Sequence, residues 1–215
     1  MGIQAQHIRY PLAAFAVILS TALVLAIGAG TAWAGPGDIK GFTGKQYLSY
    51  VKSGDMMHYS YPNGTKKITN AKSSNTKVAT VKILKQGKYT TLRVIMKKAG
   101  KTKITYKLGG KKKSATLYVK KYKNPVKQFK VGSTDYASKF DKARYAYSDT
   151  KLKGVVKITP AAGWKLKGGT FGVYSYNKNK RVKSGYNLKS DWYLGDIILV
   201  NKKTGMEEYL GLYSY

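Results

Sequence analysis

The residues that could carry out acid–base or metal chemistry are few in this sequence. The chain has two histidines and no cysteine, and beyond the N-terminal apolar segment His58 is the only histidine. A catalytic triad that uses histidine, or a metal site with several His or Cys ligands, is therefore excluded. His58 lies in the strand-like stretch GDMMHYSY, so we interpret it as an ordinary strand residue rather than a general base.

The carboxylates are also scarce, with 9 Asp and Glu in the chain. Glu207 and Glu208 are adjacent in a predicted strand, so they point to opposite faces and cannot act as an acid–base pair. Asp191 and Asp196 flank the stretch WYLG, where they could meet a sugar or a calcium ion, but turn caps are the favoured interpretation. No serine-nucleophile motif is present. We therefore predict no catalytic residue, no metal site, no cofactor and no enzymatic activity.

Aromatic residues offer a different chemistry, the stacking of sugar rings. The chain has 19 tyrosines and three tryptophans, and Trp192 and Tyr193 are the candidates for glycan stacking. The alternative is that these rings fill the core or cover sheet faces, because tyrosine is favoured in strands.

The charge is strongly positive, with 40 Lys and Arg against 9 Asp and Glu and a net charge of +31. Nearly all of these cations are lysines, which attract anions without the planar fork that arginine offers to phosphates and bases. Candidate polyanion contacts lie in the stretch AGKTKITYKLGGKKKSATLYV, and they are Lys101, Lys103, Lys107, Lys111, Lys112 and Lys113. Anionic cell-wall polymers, acidic glycans and, non-specifically, nucleic acids are the partners that this charge favours. The alternative is a solvated outer face that blocks aggregation between sheet edges.

The same stretch predicts a β-hairpin, because its apolar residues alternate on both sides of a Gly-Gly turn. The residues expected to face inward are Ile104, Tyr106, Leu108, Ala115, Leu117 and Val119. Period-two alternation and closely spaced turn residues continue to the C-terminus, so we predict an all-β chain of antiparallel sandwiches.

The N-terminus predicts export. A charged start with Arg9 is followed by an uncharged apolar stretch that ends in Ala32-Trp33-Ala34, which is typical of a secretory signal cleaved after Ala34. An uncleaved membrane anchor is the competing interpretation, and only in that case is a membrane a partner. Export without cysteine is common among Gram-positive bacteria. Residues 1–34 are thus predicted to be the signal, 38–123 a first β-sandwich and 125–215 a second, with a short linker at Asn124-Pro125.

The first predicted sandwich resembles the bacterial immunoglobulin-like domains of group 2. The resemblance covers about residues 38–123, and it rests on the order of short motifs: Ser73-Ser74-Asn75, Val78-Ala79-Thr80-Val81, Ala99-Gly100, Ile104-Thr105, Gly109-Gly110-Lys111 and Leu117-Tyr118-Val119. Two features depart from that pattern, since no tryptophan precedes Ser73 and the segment from Lys82 to Met96 is longer than usual. The resemblance implies an immunoglobulin-like sandwich in an exported or surface protein, often adhesive or a spacer, without catalytic residues.

These observations lead to one hypothesis and two alternatives. The hypothesis is an exported, non-enzymatic immunoglobulin-like binding or adhesion module of a bacterial surface, with glycans or host surface and matrix proteins among its partners. The first alternative is a basic structural protein retained by anionic cell-wall polymers, and the second is a carbohydrate-binding module.

Overall fold

The computed structural model describes residues 37–61, 64–175, 178–191 and 193–214. The predicted signal and its cleavage site after Ala34 lie outside these residues, and so does Trp192. Within the described ranges the chain forms eighteen strands and three short 3-10 turns, at Ile39–Gly41, Ala137–Phe140 and Lys167–Gly169, without an α-helix. The all-β prediction is confirmed.

A first hydrophobic core lies between two sheets with the strand orders β1-β3-β6-β5 and β2-β8-β7-β4. The strands are β1 (Gly37–Asp38), β2 (Gly44–Tyr50), β3 (Met56–Ser60), β4 (Ile68–Ser73), β5 (Ala79–Gln86), β6 (Tyr89–Met96), β7 (Gly100–Leu108) and β8 (Lys111–Lys121). Leu92 from one sheet and Ile104 and Leu117 from the other are fully buried in this core. The two sheets therefore pack face to face as a sandwich.

The lysine-rich stretch forms the predicted hairpin of β7 and β8. All six residues expected to face inward are buried, with the largest exposed fraction 8% at Leu108. Gly109 and Gly110 have φ of 55° and 81°, the left-handed conformation that a two-residue hairpin turn of this kind requires at both positions.

A second core lies between sheets with the orders β10-β9-β12-β16 and β11-β18-β17-β14-β15, and β13 pairs with β17. The strands are β9 (Val126–Val131), β10 (Thr134–Asp135), β11 (Tyr145–Ser148), β12 (Leu152–Pro160), β13 (Trp164–Leu166), β14 (Thr170–Ser175), β15 (Lys178–Lys183), β16 (Asn187–Asp191), β17 (Tyr193–Asn201) and β18 (Glu207–Ser214). Phe171, Val173 and Leu194 are buried in it, and Trp164 packs against it partly buried.

The strand order around both cores is that of the immunoglobulin sandwich. In that fold strands A, B, E and D form one sheet, and C, F and G form the other. Around the first core, β3-β6-β5 correspond to B, E and D, and β4-β7-β8 to C, F and G. Around the second, β9-β12-β16 correspond to A, B and E, and β14-β17-β18 to C, F and G, with β15 added beside C. The fold is immunoglobulin-like.

Each core also has an edge strand that runs parallel to the last strand of its sheet. β2 pairs with β8 in parallel from Gly44 to Tyr50, and β11 pairs with β18 in parallel from Tyr145 to Ser148. All described residues belong to one compact unit. The division into domains at 38–123 and 125–215 stays a prediction.

Candidate functional site

The sheet β2-β8-β7-β4 carries a dense array of positive charge. Its four strands contain ten lysines and no acidic residue. Because successive side chains alternate between faces, Lys101 and Lys103 point outward, while Thr102 and Ile104, which alternate with them, are buried. We call the solvent-facing side of this sheet the lysine face.

A groove on the lysine face lies beside a bulge in an edge strand. The pairing of β4 with β7 shifts register between Thr69 and Lys72, and Asn70 within the bulge has a φ of 52°. Bulges bend a strand and redirect its side chains. The groove has a volume of about 370 Å³. Its lining on the lysine face is Lys103, Lys107, Lys112, Asn70, Thr105 and Ser114, and it also includes Lys113 and its inward-facing partner across the hairpin, Tyr106. We call it the lysine groove.

The groove brings together four of the six lysines chosen from the sequence. The other two lie elsewhere: the Nζ atom of Lys101 lies 5.7 Å from the centre of the Tyr118 ring, and Lys111 pairs with Leu108 beside the hairpin turn. Polyanion contact by all six stays a prediction.

Positive charges face each other in the groove without an acidic neighbour on the sheet. Lys107 lies directly opposite Lys112 in the pairing of β7 with β8. Like charges in such a position are destabilising. Among the described residues the ion pairs are Arg144–Asp55, Arg144–Glu208, Lys167–Glu207 and Arg181–Asp196. None of these pairs neutralises a lysine of this face.

A row of tyrosines crosses four strands around the second core. Tyr147, Tyr213, Tyr193 and Tyr174 are direct neighbours across β11, β18, β17 and β14. The distances between successive ring centres are 5.5, 4.3 and 5.2 Å, and the rings are within 27° of parallel. We call these four residues the tyrosine row.

The stacking covers both faces of the Tyr193 ring, one by Tyr174 and the other by Tyr213. Burial and the hydrogen bond with Tyr213 raise the pKa of Tyr193 above its usual value. A sugar ring stacks on an aromatic face, and this arrangement offers the edge and the hydroxyl of Tyr193 instead. Glycan stacking by Trp192 and Tyr193 stays a prediction, and Trp192 lies outside the described residues.

A buried polar cluster joins the two cores. Arg144 donates from Nε to Glu208 at 2.9 Å, and it lies 3.4 Å from Asp55. Its Nη2 donates to the backbone carbonyl of Ser49 at 2.9 Å and to the Ser49 hydroxyl at 2.6 Å. The Ser49 hydroxyl in turn donates to Glu208. The exposed fractions of the Arg144, Asp55 and Glu208 side chains are 9%, 2% and 2%.

We call Ser49, Asp55, Arg144 and Glu208 the junction cluster, because two members come from each core. Sequence reasoning missed it, since Arg144 and Asp55 are 89 residues apart. The only signal was that Glu208 and Glu207 would point to opposite faces. That prediction is confirmed, since the side chain of Glu207 is 30% exposed and that of Glu208 is 2% exposed.

The remaining residues of chemical interest have structural partners. The neutral ring of His58, in β3, accepts a hydrogen bond at Nε2 from the Nε of Arg93 at 3.0 Å. Asp196 was expected to cap a turn, but it lies instead at a bulge within β17 with a φ of 48°. Its carboxylate accepts a hydrogen bond from the Tyr174 hydroxyl and pairs with Arg181 at 3.4 Å.

The residues that the structure describes lack two further features. Those residues contain no group of three or more His, Cys, Asp or Glu side chains with the geometry to hold a metal ion. They also include no helix with the length and apolar character needed to cross a membrane.

Comparison with protein-family models and with curated proteins finds no match. Among solved structures, the chain is similar to domains 1–6 of the surface layer protein SbsC, with 15% identity and a TM-score of 0.31 over 77% of this chain and 24% of that one. It is also similar to tandem Ig repeats of Dlar, with 12% identity and a TM-score of 0.31 over 80% of this chain and 94% of that one. At these scores the fold assignment rests on the strand order described above.

Proposed function

We propose that this chain is a non-enzymatic immunoglobulin-like binding module of an exported bacterial surface protein, and that it binds an anionic polymer in the lysine groove. One observation carries the proposal: four lysines line one groove on a sheet that has no acidic residue. The neutral side chains between them, Thr105, Ser114 and Asn70, add hydrogen bonds that an anionic oxygen can accept.

The electrostatics of the free protein favour such a ligand. Lys107 and Lys112 repel one another across the hairpin, and a bound anion converts that repulsion into attraction to a shared partner. Lysine is a flexible point charge that suits a chain of phosphates or carboxylates without fixing its orientation. A cell-wall polymer such as a teichoic acid has this chemistry, and its release of counterions on binding makes the affinity depend on salt.

The finer parts of the proposal concern organisation and origin. We propose that the two cores are tandem immunoglobulin-like domains, the first of the bacterial group 2 type, and that the signal is cleaved after Ala34. Two separate cores with related strand orders support the tandem arrangement. The apolar N-terminal sequence supports cleavage of the signal. The mass of the protein recovered from the culture medium of a secreting host tests the cleavage.

The binding proposal is tested with a purified poly(glycerol phosphate) polymer and the purified full chain. Calorimetry at 50 and 200 mM salt gives the affinity and its salt dependence. We expect a variant with Lys103, Lys107, Lys112 and Lys113 all changed to Gln to bind at least tenfold more weakly. The slope of the logarithm of the binding constant against the logarithm of the salt concentration should be smaller in magnitude by about 3, since four phosphate contacts are lost and each contributes about 0.7 on a single strand.

A matched control separates this site from net charge. Lys82, Lys85, Lys97 and Lys98 are exposed and lie outside the lysine face, so changing them to Gln removes the same four charges. The control variant is expected to retain most of the affinity. Equal losses in the two variants would show that binding follows total charge, and tighter binding to a matrix protein or to duplex DNA than to the polymer would overturn the choice of partner.

A further inference from the structure

A cleft separates the first core from the hairpin of β17 and β18. It has a volume of about 300 Å³, at the lower end of the range for small-molecule sites, which often lie between two packed units. One wall comes from β2 and β3 and the other from the end of the hairpin. The residues that matter for its chemistry are Lys45, Tyr47, Met57, Thr204, Glu207 and Tyr209.

The first wall offers a flat aromatic surface. Tyr47 lies on β2, the edge strand of its sheet, and its ring stacks on Tyr118 of β8 with centres 5.0 Å apart and planes 19° from parallel. Tyr118 covers one face of the ring, the Nζ atom of Lys120 lies 5.8 Å from the ring centre, and Tyr47 lines the cleft. Packing against Tyr118 also fixes the orientation of the ring before a ligand arrives.

The second wall offers a fixed hydrogen-bond acceptor. The carboxylate of Glu207 accepts a hydrogen bond from the Tyr209 hydroxyl at 2.8 Å and from Lys167 Nζ at 2.7 Å. Two donors hold the carboxylate at the cleft, and a carboxylate has lone pairs for further donors. Thr204, on the loop that joins β17 and β18, adds a hydroxyl to the same wall.

The local charge distinguishes this cleft from the lysine groove. The cleft is lined by one lysine and one carboxylate, in a protein whose net charge is +31. An anion would gain little electrostatic attraction in this cleft. A neutral ligand with many hydroxyls could contact both the aromatic wall and the carboxylate. A pyranose ring has an apolar face of C–H groups that packs on an aromatic ring and hydroxyls at its edge that donate to carboxylates.

We propose that this cleft binds a sugar residue of a neutral glycan, with its C–H face on Tyr47 and a hydroxyl donating to Glu207. The site does not depend on the lysine groove. It also differs from the pair Trp192 and Tyr193, and its two walls come from different cores, so no local stretch of sequence contains it.

Titration calorimetry of the full chain with maltotetraose, cellotetraose, mannotetraose and chitotetraose tests the proposal. At least one of the four is expected to bind. The Tyr47→Ala change should then weaken binding at least tenfold, whereas Tyr47→Phe, which keeps the ring, should change it less than threefold. Glu207→Gln should weaken it severalfold, because the amide is a poorer acceptor.

Two controls use residues outside the cleft. Tyr89 is 47% exposed on β6, outside the cleft, so Tyr89→Ala removes a tyrosine ring elsewhere on the surface and should leave sugar binding unchanged. The four-lysine groove variant should also keep sugar binding, which separates failure of this proposal from failure of the polyanion proposal. Thermal unfolding confirms that each variant is folded. Absence of binding to all four sugars, or equal binding by wild type and Tyr47→Ala, would overturn the proposal.

Discussion

The Nε of Arg144 lies 2.9 Å from the carboxylate of Glu208, and the same guanidinium lies 3.4 Å from Asp55, so one cation links both cores. These contacts are buried, and the Tyr122 ring lies beneath the guanidinium with its centre 5.1 Å away. A buried charge that loses its partner is far more costly than an exposed one.

We therefore expect Arg144→Ala to lower the free energy of unfolding by about 3 to 5 kcal/mol, because two buried carboxylates lose their cation. Urea denaturation measures the change. The control is Arg181→Ala, since Arg181 and Asp196 are 48% and 51% exposed, and exposed pairs contribute about 0 to 1 kcal/mol. Equal effects of the two substitutions would mean that the junction cluster adds no stability beyond that of a surface pair.

The opposed lysines of the groove predict a gain in stability when one is removed. We expect Lys112→Gln to raise the free energy of unfolding by about 0.2 to 1 kcal/mol at low salt, because it relieves repulsion from Lys107. The gain should disappear at 1 M salt, where the screening length is about 3 Å. The control is Lys85→Gln, because Lys85 lies opposite the neutral Thr90. A similar gain in stability in that variant would argue against repulsion between Lys107 and Lys112.

His58 predicts a loss of stability below neutral pH. Burial, and secondly the charge of Arg93, lower the pKa of His58 from its usual value. The unfolded chain, with a histidine pKa of about 6.5, then binds the proton at higher pH than the folded chain does. The stability that His58 provides is thus complete above about pH 6.5 and is lost as the pH falls from there through the folded pKa.

The His58→Gln variant isolates this effect. Denaturation at pH 7.5, 6.5 and 5.5 should show wild type losing more stability than the variant over this range. The same loss in both proteins would assign the pH dependence to other groups.

The tyrosine row predicts sensitivity to a single added methyl group. A Cβ atom at Gly195 would overlap the ring of Tyr193, and that ring cannot move aside because Tyr174 and Tyr213 cover both of its faces. We expect Gly195→Ala to cost about 1 to 3 kcal/mol, as overpacking usually does. Gly41→Ala is the control, since a Cβ there meets no atom within 4 Å. If Gly195→Ala left the free energy of unfolding unchanged, the tyrosine row would have to rearrange easily.

The parts of the fold that could be predicted from sequence are those set by local alternation. In the hairpin of β7 and β8, each inward position follows from the period of two and from the Gly-Gly turn. The hairpin of β17 and β18 is also set locally, since Asn201 Oδ1 accepts hydrogen bonds from the backbone amides of Lys203 and Thr204 in its loop.

The site residues depend instead on which distant strands meet. The tyrosine row requires β11, β18, β17 and β14 to pair in one register, and the junction cluster requires two cores to pack together. Asp196 was misread as a turn residue because the bulge in β17 is set by its pairing with β18, which no local motif records. The lysines were chosen from sequence, but the groove that four of them line beside the bulge at Asn70 was not predicted.

The parallel pairing of β2 with β8, and of β11 with β18, determines how the chain responds to mechanical force. In each case an early strand lies beside the last strand of its core, and tension applied at the two ends of the chain pulls these neighbours in opposite directions along their length. Their hydrogen bonds are then loaded together in shear instead of being opened one after another. Strands loaded in this way separate only when many hydrogen bonds break at once, so the chain resists extension along this direction.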